Sequence, residues 1–380
     1  MSAGDRPDTV LVNLLWLVPG VVGGSEESVT DALRAVAAAC PGDLRLRLAV
    51  LRPFLDAHPD LVEAFPTDVA ELDGANKVRR VLTEQTWLAS LARRVGADVV
   101  HHAGGTVPFV HPGAVVLTIQ DLQPLDLPGN FSWVKRTYLR AMLGRSARAA
   151  RVVCVPSEFT RSRVVELLGV TPEKVQVVPW TPRPAPAHGA ATAAGAQVPA
   201  GPFLLYPAIT YPHKNHLVLV EAFARLEGPA RAATLVLTGG SAATEDEVMA
   251  RVDALGLRDR VLRTGRVDAD RLEALYAAAA AVVVPSRYEG FGLPALEAMA
   301  RGCPVVVARS GSLPEVARPE DLVDPDDVTA WAAAMQSVLA LSDRDRSDRI
   351  AAGRRCAARF TPDRTAAGLI GAYRAALHRP

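Results

Sequence analysis

Short apolar runs alternate with amphipathic stretches along the whole chain, the pattern of parallel strands covered on both faces by helices. In the first half the apolar runs predict strands near Val10–Val18, Leu44–Leu51, Asp98–His101, Val115–Thr118, Arg151–Val155 and Val175–Val178. Helical spacing appears between them, near Ser25–Ala39, Val81–Val95, Trp133–Leu143 and Glu158–Leu168. This is one doubly wound unit, residues 1–182. Prolines and small residues then crowd residues 183–201, where no packed element can be sustained, and that stretch reads as a linker.

The alternation restarts in residues 202–360, with strands near Phe203–Pro207, Thr234–Thr238, Val261–Arg263, Ala281–Val284 and Val305–Ala308. Helices near His216–Leu226, Glu245–Leu255, Arg271–Ala279 and Pro294–Arg301 separate them. A last helix, within residues 361–380, is expected to cross back to the first unit. Open α/β sheets bind ligands outside the carboxyl ends of their strands, so two such units facing each other place the expected active site in a shared cleft.

Composition narrows the function. With 380 residues, 49% of them apolar, both cores can be filled, and a formal net charge of +1 lacks the basic excess of a nucleic-acid-binding protein. Four cysteines, Cys40, Cys154, Cys303 and Cys356, form no C-x-x-C pair and read as buried free thiols in a reducing compartment. No signal-length apolar stretch follows the polar start, and the longest apolar run, near Ala274–Pro285, is too short to span a bilayer. The expected location is the cytoplasm.

The most informative stretch is PSRYEGFGLPALEAMARGCPVVVARSGSLPE, from Pro285 to Glu315. It reads as strand, glycine loop, helix and strand. Gly290 and Gly292 allow close ligand approach, and Pro294 suits a first helical turn. The amides around Phe291, Gly292 and Leu293 are therefore free to point at an anion. Glu289 in the loop and Glu297 in the helix are spaced so that two carboxylates can meet one polyhydroxylated ligand. Dipole stabilisation of Glu297 and solvation of Glu289 would explain either residue alone.

The run EGFGLPALEAMARGCPVV resembles the signature of the retaining GT-B glycosyltransferases of family 4, whose fold is two Rossmann-like domains across a cleft. The resemblance extends to VLRTGRV, YPHKNH, PSEFTRSRV and the amino-terminal GGSEESV, and so covers both halves. It implies transfer of a hexose from a nucleotide-diphosphate sugar, without a metal or other cofactor, to a hydroxyl of a glycan, lipid-linked glycan or small glycoside. GDP-mannose is the first expectation for the donor, with UDP-glucose and dTDP-rhamnose behind it. By the same resemblance Glu297 binds the ribose hydroxyls, Glu289 holds the transferred sugar, and the amides of Phe291, Gly292 and Leu293 meet sugar or diphosphate. Lys214 neutralises the leaving group, Val267 packs the base, and Gly23 and Gly24 face the diphosphate from the first unit. A fixed cation at Lys214 also follows from physics, since charge develops there as the glycosidic bond breaks.

Two departures from the family pattern stand out. Gln120 precedes Asp121 where members often carry His-Asp, which removes a histidine base but leaves both residues able to bind an acceptor. Ala208, Ile209 and Thr210 occupy the stretch where an arginine is often found, and His213 is expected to supply part of that donor capacity. Asp268-Ala269-Asp270 and Asp324-Pro325-Asp326 have DxD form but read as helix caps. The basic helix near Trp133–Arg148 suggests peripheral contact with the inner face of a membrane, against the commoner reading of a solvated helix face. A nucleotide-sugar 2-epimerase and a non-catalytic nucleotide-sugar sensor are the competing functions.

Overall fold

The computed structural model describes residues 6–21, 23–130, 133–183 and 198–378; residues 184–197 of the expected linker lie outside them. The chain divides into two compact units, residues 1–181 with 361–380, and residues 182–360.

The first unit is built on seven strands: β1 (Asp8–Asn13), β2 (Leu44–Leu51), β3 (Thr67–Ala70), β4 (Val99–His102), β5 (Ala114–Thr118), β6 (Val152–Val155) and β7 (Val175–Val177). They form one parallel sheet in the order β3-β2-β1-β4-β5-β6-β7. The second unit has β8 (Phe203–Pro207), β9 (Thr234–Thr238), β10 (Val261–Gly265), β11 (Ala281–Val284), β12 (Val305–Ala308) and β13 (Leu322–Val323). Its order, β10-β9-β8-β11-β12-β13, repeats the first arrangement, again all parallel. Both sheets are Rossmann-like. β4, β5, β6, β11 and β12 are buried at every position, which is why they read as unbroken apolar runs rather than alternating ones.

The helix Pro362–Leu377 belongs to the first unit and packs on the helix Gly24–Ala39 and on β5 and β6. Tyr373 is fully buried and its hydroxyl lies 3.0 Å from Nδ1 of His101, whose Nε2 lies 2.7 Å from Thr118 Oγ1. Gln176 donates to the carbonyl of Gly368 at 3.0 Å, and Arg151 to that of Ala376 at 2.7 Å. His101 thus has a structural employment, and burial takes its pKa down to about 4.

Some local expectations differ from the structure. The first strand ends at Asn13; Leu14, Leu15 and Leu17 beyond it are buried but belong to no strand. The helix expected near Ser25–Ala39 starts one residue earlier, at Gly24 behind Gly23, whose φ of 65° needs glycine. The loop before it is closed by Glu26, which accepts from the amide of Gly20 at 2.8 Å and lies 2.9 Å from Nε2 of His58. Of the four free cysteines, Cys154 and Cys303 are buried, and their thiols are pushed up to about 12. Cys40 is exposed in a left-handed position that ends the first helix.

Candidate active site

In the second unit the strand order reverses at β8, with β9 on one side and β11 on the other. Three loops leave the carboxyl ends of neighbouring strands there, after β8, β11 and β12. Ligand sites of open α/β sheets form at such a switch point.

Lys214 stands on the first loop and Glu289 on the second, with Lys214 Nζ 2.6 Å from Glu289 Oε1. Their side chains are only 19% and 11% exposed, so the pair is held in a sheltered environment where charges interact more strongly than in water. The loops are stitched by polar groups. Tyr206 on β8 donates its hydroxyl to the carbonyl of Lys214 at 2.7 Å and lies 3.0 Å from Ser286 Oγ. The amide of Arg287 donates to the carbonyl of His213 at 2.8 Å. Asn215, at φ 60°, donates from Nδ2 to the carbonyls of Pro285 and Pro325, at 3.1 and 2.7 Å. Lys214 and Glu289 therefore meet because both backbones are pinned.

The third loop supplies residues the sequence reading left without a role. Ser312 donates to the carbonyl of Glu289 from its amide at 3.2 Å and from its hydroxyl at 3.0 Å. Ser310 Oγ donates to the carbonyl of Ser286. Gly311 packs directly on the backbone of Glu289. The only hint in the sequence was a glycine between two serines after a buried strand.

The helix Leu293–Ala300 opens at Gly292, whose φ is 98° and whose missing Cβ would lie 2.8 Å from Leu313 Cδ2. No side chain caps it. Among the described residues the amides of Phe291, Gly292 and Leu293 donate to no protein acceptor. A helix start leaves several such donors and carries about half a positive charge, so this turn suits an anion. Phe291 is buried, edge-on to Phe360 at 5.4 Å between ring centres. Glu297 lies along the same helix and accepts from the hydroxyl of Tyr276 at 3.1 Å. Arg301, over the ring of Tyr276, is paired with Glu273.

Other expected residues are placed less centrally. Val267 follows β10, two strands away from β8. His213 is buried and stacked on Tyr211 at 5.7 Å. Burial first, and the charge of Lys214 second, take its pKa down to about 4. It is therefore neutral at pH 7 and replaces no charge of the missing arginine. Arg263 does not replace it either, since its guanidinium grips Glu245 at 2.8 and 2.9 Å and the carbonyl of Gly239 at 2.8 Å. In the first unit, Gly23 ends the loop after β1 and Gly24 opens the helix that follows, with open space where a Cβ would stand on either. Gln120 and Asp121 follow β5, and Asp121 accepts from the amide of Gln123 at 3.1 Å.

Among the described residues no group of three or more His, Cys, Asp or Glu side chains is placed to hold a metal ion. Asp268 caps a helix, accepting from the amide of Arg271 at 2.8 Å. The second DxD run differs from expectation: Asp327 is the cap, while Asp326 pairs with Arg287 at 2.7 Å. No helix among the described residues is long and apolar enough to cross a membrane. On the helix Trp133–Ala149, Arg145 turns to the carbonyls of Val107 and Pro108, at 2.6 and 2.8 Å. Residues 131 and 132, and the side chains of 134 and 135, lie outside the described residues.

Comparison with known proteins decides the family. The description "Glycosyltransferase Family 4" matches residues 22–180, and "Glycosyl transferases group 1" matches residues 195–355. The O-antigen chain mannosyltransferase B of Escherichia coli is 31% identical over 334 residues, 85% of this chain and 82% of that one. This chain belongs to the family 4 glycosyltransferases. Another relative of this glycosyltransferase, the D-inositol 3-phosphate glycosyltransferase of Xylanimonas cellulosilytica, is 36% identical over 57% of this chain and 55% of its own length. The fold is that of GT-B enzymes. The sucrose-phosphate synthase of Thermosynechococcus elongatus matches with a TM-score of 0.75 at 21% identity, over 97% of this chain and 98% of that one. Anabaena HepE, solved in complex with UDP and glucose, matches at 0.72 and 19% identity, over 96% of this chain and 99% of its own.

Proposed function

We propose that this glycosyltransferase moves a hexose, mannose before others, from a nucleotide-diphosphate sugar to an acceptor hydroxyl with retention at the anomeric carbon and without a metal. The observation that carries the reading is the Lys214–Glu289 pair at the strand switch point, next to the free amides of Phe291, Gly292 and Leu293. One cation, one carboxylate and three aligned donors suit a sugar diphosphate. The mannosyltransferase relative supports GDP-mannose as the donor, with UDP-glucose and dTDP-rhamnose as the next candidates. The proposed acceptor is a glycan, a lipid-linked glycan or a small glycoside, met in the cytoplasm or at the inner face of a membrane.

On this reading the amides and Lys214 hold the diphosphate, Glu297 the ribose hydroxyls, and Val267 packs on the base. Gly23 and Gly24 face the diphosphate, and Gln120 and Asp121 bind the acceptor. Lys214 leaves Glu289 for a phosphate oxygen, and the released carboxylate accepts from a hydroxyl of the transferred sugar. The anomeric carbon–phosphate oxygen bond then breaks while the acceptor oxygen attacks from the same face, and the acceptor proton passes to the departing phosphate oxygen. Gln120 cannot take that proton near neutral pH, so the leaving group does. Lys214 stabilises the charge that develops on it.

Incubation with a panel of nucleotide sugars and acceptors, followed by product analysis, tests the proposal. Free nucleoside diphosphate and an α-linked product are expected from GDP-mannose. An isomerised donor would make the protein an epimerase, and binding without turnover of any donor would make it a sensor.

A further inference from the structure

Tyr211 is the only exposed aromatic side chain among the described residues of the second unit, at 45%. It stands on the loop after β8, three residues before Lys214. A scattered apolar residue on a surface needs no explanation, but this ring is held in place. The amide of Tyr211 donates to the carbonyl of Ile209 at 2.8 Å, and its carbonyl accepts from the amide of Lys214 at 2.9 Å. Thr210 before it is fully buried, with its hydroxyl donating to Glu245 at 2.7 Å and accepting from the amide of Ala242 at 2.8 Å. The buried ring of His213 lies nearly parallel to that of Tyr211, at 16° between planes and 5.7 Å between centres. One face of Tyr211 is thereby backed by a second ring, an offset stack, and its exposure is left to the other face and the edge.

The reaction chemistry says what meets that open face. When the acceptor oxygen attacks on the side from which the phosphate leaves and passes its proton to that phosphate, the acceptor lies within hydrogen-bonding distance of the leaving oxygen. The same oxygen is the one Lys214 neutralises. The acceptor therefore sits against the turn that carries Lys214, and Tyr211 belongs to that turn. The donor base is expected elsewhere, at Val267 after β10, on the edge of the sheet two strands from β8.

A pyranose ring turns a run of C–H groups to one face and its hydroxyls outward. Those C–H groups are apolar and slightly positive, and an aromatic face is apolar and slightly negative, so the two surfaces suit each other. Resting on the proposed function, we infer that Tyr211 is a platform for the acceptor, and that the acceptor is a pyranose which stacks its C–H face on this ring. Tyr211 then sets acceptor specificity, apart from the residues that hold the donor.

Steady-state kinetics of the full chain tests this, with GDP-mannose, UDP-glucose and dTDP-rhamnose as donors and the methyl α-pyranosides of mannose, glucose, galactose and rhamnose as acceptors. With the pair that reacts best, Tyr211→Ala should raise KM for the acceptor about tenfold, the scale on which a lost ring-stacking contact weakens binding, with a far smaller change in KM for the donor. Tyr211→Phe and Tyr211→Trp keep a flat ring and should restore acceptor KM. The inference is overturned if Tyr211→Ala leaves acceptor KM at the wild-type value, or if Tyr211→Phe fails as badly as alanine, which would make the hydroxyl the contact. A rise in donor KM instead would assign Tyr211 to the base and overturn it too. If a donor is hydrolysed but none of the four pyranosides accepts its sugar, the acceptor inference falls while the donor reading stands. No turnover of any donor would overturn the proposed function itself, and the inference with it.

Discussion

A Cβ on Gly311 would stand 2.7 Å from the carbonyl oxygen of Glu289 and 2.8 Å from its amide nitrogen. Both atoms are backbone, so they cannot swing aside as a flexible side chain does, and φ of 56° at Gly311 already disfavours any other residue. Alanine at this position must push the Glu289 loop away from Lys214. Since displacements near 1 Å cost up to about a hundredfold when reacting groups must be aligned, Gly311→Ala should lower kcat/KM by about ten- to a hundredfold. Ser312→Ala removes only one of two hydrogen bonds to the same carbonyl and should cost far less. Steady-state kinetics of the two variants checks the ranking.

The Lys214–Glu289 pair makes a two-part prediction. Removing the cation should cost turnover heavily: Lys214→Ala is expected to lower kcat by about two to three orders of magnitude, the scale of a lost transition-state stabiliser. In the ligand-free protein it also strands a sheltered carboxylate, at a cost of about 1–3 kcal/mol, less than for a fully buried pair because both side chains keep some solvent contact. Lys214→Ala combined with Glu289→Ala should then be no less stable than Lys214→Ala alone. Thermal unfolding without ligand reads this, and a strictly additive loss would show that the pair does not couple.

Glu289 and Glu297 should separate in kinetics. Glu297 is anchored by the hydroxyl of Tyr276 and is proposed to bind the ribose, an interaction made equally in ground and transition states. Glu297→Gln should therefore raise KM for the donor with little change in kcat, and Tyr276→Phe should do the same more weakly. Glu289→Gln should depress kcat more than donor affinity. Equal effects of both glutamine variants on kcat and KM would contradict the two roles.

Much of this architecture was visible in the periodicity. Strands β8, β9, β11 and β12 begin and end where the apolar runs do, because strands buried on both faces leave contiguous runs bounded by turn residues, and β2 does so although it alternates leucine with arginine over Leu44–Arg47. β3 and β13 were missed for the opposite reason: Thr67–Ala70 is mostly half-buried and Leu322–Val323 is two residues long, so neither makes a run. The helix Asp343–Ala357 was missed because eight of its fifteen residues are charged, which hides its buried side. Within the site, the Pro285–Glu315 signature pointed to Glu289 and the turn after it. The supporting contacts of Gly311, Ser312, Tyr206 and Asn215 are tertiary, and no spacing along the chain announces them.

Glu84 gives the first unit a pH dependence with a definite sign. Burial, only partly opposed by Arg80 and the Asn13 hydrogen bond, raises its carboxyl from 4.5 to about 7. The folded chain then holds this proton more tightly than the unfolded one, so the contribution is complete below pH 4.5 and is lost as pH rises to about 7. The nearby His102, lowered to about 3 by burial, works in the opposite sense, as do His101, His213 and His216. Their unfolded forms take up protons as pH falls, so the raw stability curve mixes both effects. Comparison with Glu84→Gln isolates the carboxyl, because the histidines are common to both proteins. Between pH 5 and 8 the wild-type chain should lose more unfolding free energy than the glutamine variant, by up to about 3 kcal/mol. Urea unfolding of both proteins across that range measures the difference, and parallel curves would mean that Glu84 ionises at an ordinary value despite its burial.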